Sequence, residues 1–101
     1  MSITRKQIKQ LRAEGHRLKL KPVVIIGQNG LSENLHSEIE RALNDHELIK
    51  LRIPAQPKKE KRAFNESLCN RHAAELVEAI GNVIVIYRRN AERDKFAAIL
   101  G

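Results

Sequence analysis

A chain of 101 residues that is 42% apolar is sized for one domain, residues 1–101, with one modest core, and is too apolar to stay disordered. Its one cysteine, Cys69, excludes an internal disulfide and a cysteine-built zinc site, and no apolar run nears the roughly 20 residues of a membrane span. The net charge of +7 is concentrated: residues 1–26 carry seven basic and one acidic side chain, residues 50–62 six and one, and residues 27–49 one and five.

"ITRKQIKQLRAEG" opens the chain order with a helix start. Thr4 and Gln7 have the spacing of a capping box, and Ile3 and Ile8 that of a hydrophobic staple. The helix ends at Gly15 or runs on to Arg17. Charges spread through these residues leave no signal-peptide core, so a cytoplasmic protein is expected. "PVVIIG", Pro22 to Gly27, is an unbroken β-branched run, the pattern of a strand covered on both faces. "LSENLHSEIERALNDH" then puts Leu31, Leu35, Ile39 and Leu43 on one helical face, with Ser32 as N-cap and Glu33 in the first turn.

"ELIKLRI" alternates: Ile49, Leu51 and Ile53 point one way, Lys50 and Arg52 the other, as in a strand. Pro54 and Pro57 interrupt it, and "QPKKEKRA" reads as a mobile basic loop. "FNESLCNRHAAELVEAIG" has helical spacing from Phe64 to Ile80, with Cys69 on a buried position and Gly81 as a left-handed cap. "NVIVIYR" is a further strand and "FAAIL" a short last one. The order is therefore α-β-α-β-α-β-(β). Two strand-helix-strand units with right-handed crossovers predict a compact α/β domain with a small mixed four-stranded sheet and packed helices.

Gly27-Gln28-Asn29-Gly30 lies between a strand and a helix start. It is neither a Walker loop nor a dinucleotide fingerprint. Glycines allow close backbone approach and free amides at a helix start favour an anion, so the loop is either a phosphate contact or a plain tight turn. Loops at the carboxyl ends of parallel strands gather where such folds place ligands. Arg17, Lys19 and Lys21 lead into the first strand and are expected near the loop; Lys50 and Arg52 share a face of the neighbouring strand. Phe64, Tyr87 and Phe96 are too few to stack several bases, so backbone contact must dominate any nucleic-acid binding. His16, His36, His46 and His72 lack metal-ligand spacing and read as surface or cap-region side chains. No nucleophile stands beside a base, which predicts no catalytic residues, no metal and no cofactor.

"KPVVIIGQNGL", "HELIKLRI" and "IGNVIVIYR", in that order, resemble the CRM domain (chloroplast RNA splicing and ribosome maturation) in its single-domain bacterial YhbY-type form, over Ile3 to Arg89. The resemblance implies a fold similar to the C-terminal domain of translation initiation factor three. It also implies RNA binding, in bacteria to precursors of the large ribosomal subunit. The family's GxxG contact loop falls on Gly27, Gln28, Asn29 and Gly30. Gln28 stands where plant members often carry a basic residue, and Ala73 replaces a glycine common before "AELV".

The leading expectation is a monomeric, non-catalytic protein binding ribosomal RNA in large-subunit assembly. Backbone amides of Gln28, Asn29 and Gly30 would meet phosphate. Arg17, Lys19, Lys21, Lys50 and Arg52 would add charge, with Lys58, Lys59, Lys61 and Arg62 as a flexible auxiliary. The alternative is a protein-binding adaptor on the ribosome that uses the acidic helix from Ser32 to Asp45.

Overall fold

Thr4 and Gln7 begin the first helix as their spacing requires. In the computed structural model, which describes residues 3–101, the Thr4 hydroxyl accepts from the Gln7 amide at 3.1 Å and the Gln7 side chain accepts from the Thr4 amide at 2.9 Å. Helix α1 (Arg5–Arg17) passes through Gly15 without stopping. Gly15 is buried, and a Cβ there would make ordinary van der Waals contact with Leu20 at 3.4 Å and Leu48 at 3.7 Å.

The remaining elements are β1 (Pro22–Ile25), α2 (Glu33–His46), β2 (Leu48–Arg52), α3 (Lys58–His72), β3 (Glu75–Ile80), β4 (Val83–Tyr87) and the short α4 (Ala97–Leu100). The sheet order is β1-β2-β4-β3, with β1 parallel to β2 and β4 antiparallel to both neighbours. Thus β1, β2 and β3 run in one direction, and β4 is inserted between the ends of the second strand-helix-strand unit. Val24, Ile26, Ile49, Leu51, Ile53, Ile84 and Ile86 meet Ile39, Leu43, Leu68 and Cys69 of α2 and α3 on one face. Leu48, Val77, Val85 and Tyr87 meet Leu11 and Phe96 on the other. No helix is long and apolar enough to cross a membrane among the described residues.

The expected α/β class and mixed four-stranded sheet hold, but a fourth helix ends the order and several residues belong to other elements. The basic segment is no mobile loop: Pro57 occupies the N-cap of α3, and Lys58 to Ala63 form its first turns. Lysine, glutamate, arginine and alanine are good helix formers, and the proline that stops a strand also presets the entry to this helix. At its other end the helix stops at Ala73, which adopts φ 51°, ψ 41°, while the Ala74 amide donates to the Cys69 carbonyl at 2.9 Å. Glu75–Ile80 therefore form a strand rather than the last turns of a helix. Ile80 pairs with Val83 across Gly81-Asn82, so Gly81, at φ 58°, begins a two-residue hairpin turn and caps no helix.

"FAAIL" is also not a strand. Phe96 packs edge-on against Tyr87, with centroids 5.8 Å apart, and Ala97–Leu100 coil into α4 beside α1. Finally, β1 is an edge strand whose second face is open: Val24 is buried, whereas Val23 and Ile25 are exposed. The β-branched run overstated its burial, because α1 and α4 cover only part of that sheet face.

Candidate nucleic-acid interface

The Ile26 amide donates to the Arg52 carbonyl at 2.9 Å, extending strand pairing to the first glycine. The Gly30 amide then donates to the Gly27 carbonyl at 3.0 Å and closes a four-residue turn with Gln28 and Asn29 exposed at its tip. Gly30 needs its missing side chain for a φ of 79°; Gly27 does not. A Cβ built at either would meet nothing within 4 Å, so the space over the turn is open. Among the described residues, the amides of Gln28 and Asn29 have no hydrogen-bond partner. The turn itself consumes the Gly30 amide, which removes it from the three donors expected there. Ser32 caps α2 by accepting from the Leu35 amide at 3.2 Å, leaving the Glu33 and Asn34 amides also unpaired. The segment is thus a run of open donors at the positive end of a helix.

Because β1 and β2 are parallel, this turn shares an end of the sheet with Arg52 and with the start of α3. Lys58 and Lys59 sit in the first turn of α3. Lys61 donates to the Gly81 carbonyl at 3.0 Å and ties the helix to the hairpin, and Arg62 follows it. Among the described residues no carboxylate pairs with Arg52, Lys58, Lys59 or Arg62. The auxiliary cations are therefore carried on a helix rather than on a mobile loop.

The other expected cations fall elsewhere. Lys50 is half-buried in a small cleft with Arg12, His16 and Glu78 beneath α1. Arg17, Lys19 and Lys21 are not near the loop. They precede β1, and the extended chain from Lys21 to Gly27 spans about 20 Å. They ring a cleft of about 680 Å³ with His46, Lys95 and Phe96 at the opposite end of the sheet, and Arg17 is paired with Glu14. A strand carries its approach segment away from its exit loop, which proximity in sequence conceals.

One feature of the loop end escaped the sequence. Ile25, Arg52, Val83 and Ile80 are in register across all four strands. Ile25 is 66% and Ile80 63% exposed, so the arginine lies between apolar side chains on an open sheet face. The unbroken apolar run Val23 to Ile26 carries no alternation that marks Ile25 as open; only the structure shows it.

Carboxylates gather at the other end and over α2. His72, 2% exposed, is no surface histidine: its Nδ1 lies 2.6 Å from Glu40 Oε2 and its Nε2 2.9 Å from His36 Nδ1. A carboxylate only accepts, so the His72 Nδ1–H donates to Glu40, and with both rings neutral the His36 Nδ1–H donates to His72. Arg88 reaches Glu40 at 2.9 Å and holds its carboxyl below the usual range. Burial, then the charge of Arg71, push His36 below the ordinary imidazole range. Arg71 pairs with Glu33, Arg93 with Asp45 and Arg89 with Asp94. Glu47, 0% exposed, takes the amides of Lys95 at 2.8 Å and Asn90 at 3.3 Å and so fastens the C-terminal segment. Burial, then Glu75, push the Cys69 thiol up to about 11, far from a reactive thiolate. Among the described residues no three potential ligands converge on a metal position.

The CRS1/YhbY (CRM) domain profile matches residues 3–88. The chain is 42% identical to a probable RNA-binding protein of Pseudomonas aeruginosa, over 94% of this chain and 89% of that one. It is 36% identical to an RNA-binding protein of Haemophilus influenzae, over 90% of each. Its fold is similar to the solution structure of a hypothetical Staphylococcus aureus protein proposed to bind RNA, with a TM-score of 0.75 and 35% identity over 88% of this chain and 91% of that one. The chain belongs to the CRS1/YhbY (CRM) domain family.

Proposed function

We propose that this protein binds RNA through the carboxyl end of its parallel strands, and that its target is ribosomal RNA in precursors of the large ribosomal subunit. It acts as a cytoplasmic monomer and without catalysis. The observation that carries this reading is the meeting of unpaired amides (Gln28, Asn29, Glu33 and Asn34) with unpaired cations (Arg52, Lys58, Lys59 and Arg62) at one end of the sheet. Amides at a helix start and basic side chains are complementary to phosphate and carry no base preference of their own. RNA binding is also what the relatives' names record.

The adaptor reading loses support from the same structure. Of the acidic side chains on α2, Glu33, Glu40 and Asp45 are already engaged by Arg71, Arg88 and Arg93, which leaves Glu38 as the one without an ion pair among the described residues.

Two measurements test the proposal. With about four phosphates neutralised, log affinity for single-stranded RNA falls against log salt with a slope near −3, at about 0.7 per phosphate. Affinity independent of salt contradicts a phosphate-gripping surface. Ultraviolet crosslinking in cells, followed by sequencing of the attached RNA, is expected to recover large-subunit precursor sequences. Recovery of messenger RNA alone contradicts the assembly role.

A further inference from the structure

Between α3 and the edge strand β3 runs a groove of about 470 Å³, lined by Lys58, Lys61, Arg62, Asn65, Leu76, Ala79 and Gly81. Lys58, Lys61, Arg62 and Asn65 follow one another at the spacing of a single helical face. Asn65 is 5% exposed, yet its Oδ1 has no hydrogen-bond partner and no bond among the described residues uses its Nδ2. A buried carboxamide left unpaired is destabilising, so a helix position that retains one beside a groove points to a ligand. At the mouth of the groove α3 starts on Pro57, which supplies no side-chain cap, so the Lys58, Lys59 and Glu60 amides are open beside the lysine side chains.

We infer that this groove takes one unstacked adenine base of the bound RNA, read by Asn65, with its phosphate held at the start of α3. A carboxamide presents one acceptor beside one donor, which matches the N6 amino group and N7 of adenine in a bidentate pair. The unpaired oxygen receives the amino hydrogen after rotation about the terminal torsion of Asn65, which is broad. Leu76, 40% exposed, and Ala79 offer an apolar floor to the ring face. The other polar groups lining the groove are cations, which suit the phosphate and leave Asn65 as the sole side chain there with an acceptor for the base. This inference rests on the RNA-binding reading above and adds base selection to a surface otherwise selective only for phosphate.

The test uses the full chain and four nine-residue RNAs, each oligouridine with A, C, G or U at the centre. Fluorescence anisotropy at fixed salt is expected to give about tenfold tighter binding of the adenine oligomer. Asn65→Leu abolishes that preference and leaves the salt slope unchanged. In the wild-type protein the Asn65 side-chain amide resonances move with the adenine oligomer and not with oligouridine, a readout independent of any variant's folding. Equal affinity for all four oligomers, or an adenine preference that survives Asn65→Leu, overturns the inference while RNA binding itself stands. Failure to bind any of the four overturns both readings.

Discussion

The two ends of the sheet are both rich in arginine and lysine, and they use them in opposite ways. At the far end, beyond Tyr87, Arg88, Arg89 and Arg93 each hold a carboxylate, and Lys95 donates to the Asp45 carbonyl. At the loop end, Arg52, Lys58, Lys59 and Arg62 hold none among the described residues, and the backbone beside them is open. Formal charge does not distinguish these regions; neutralisation of the arginines does, although Lys19 and Lys21 at the far end also hold no carboxylate among the described residues. A polyanion competes poorly for a guanidinium already in a bidentate pair and pays no such competition at an unpaired lysine.

That contrast predicts separable effects, and the largest is on stability. Glu47→Ala strips the acceptor from the Lys95 and Asn90 amides in a fully buried position and is expected to cost about 2–4 kcal/mol. For a chain near 100 residues this lowers the melting temperature by roughly 10 °C or more. RNA affinity, measured below the transition, should stay within twofold. A loss of binding equal to that of a loop-end variant would erase the distinction between the ends.

The triple variant Arg52→Ala, Lys58→Ala, Lys59→Ala is the complement. Removing three phosphate contacts at about 0.7 logarithmic units each, at 0.1 M salt, weakens RNA binding on the order of 100-fold and flattens the salt slope by about 2. Its thermal stability should barely change, because no carboxylate loses a partner. Gly27→Glu sharpens the same point: a Cβ there meets nothing within 4 Å and takes no strained φ, so the fold tolerates it while the added charge repels phosphate. Gly30 is a poorer probe, since its φ of 79° strains any substitute.

A smaller effect comes with pH. His36 has a folded pKa below its unfolded value, so the native state binds fewer protons than the unfolded chain as the imidazole range is entered. Stability that is complete above that range is lost as pH falls through it, and a second loss follows below the carboxylate range as Glu40 protonates. Urea titrations between pH 7.5 and 5 should show the first decline, and His36→Gln should flatten it. Because His36 belongs to the paired network, salt-corrected RNA affinity of the folded protein should not follow the same curve.

The smallest prediction is stabilising. Ala73 ends α3 in the left-handed region, where a Cβ costs roughly 1–2 kcal/mol, partly offset by the greater freedom of glycine in the unfolded chain. Ala73→Gly should therefore raise stability by about 0.5–1 kcal/mol. No gain in the melting temperature would mean that the helix-to-strand junction is relaxed as it stands.

The sequence disclosed what local chemistry determines. The Thr4–Gln7 box, the Ser32 cap, the alternation in β2 and the β-branched run of β4 each carry their own signal. Glu75–Ile80 did not, because "ELVEAI" fits a helical stripe as well as a strand, and only pairing with β4 and the turn at Gly81-Asn82 decides it. The same limit governs the site. Gly27 to Gly30 was legible as a motif, but which lysines share its end of the sheet depends on strand direction, so Lys58 and Lys59 do while Lys19 and Lys21 lie a strand's length away. Pairing is also invisible in one dimension: nothing near Arg88 in the chain announces Glu40, and nothing near Asn65 announces an empty acceptor.

Backbone amide resonances followed during titration with single-stranded RNA test the central claim most directly. The account predicts that Gln28, Asn29 and the first turn of α3 shift, with the Arg88–Lys95 segment unmoved. Shifts confined to the far end, with the Gly27–Gly30 turn unchanged, would contradict it.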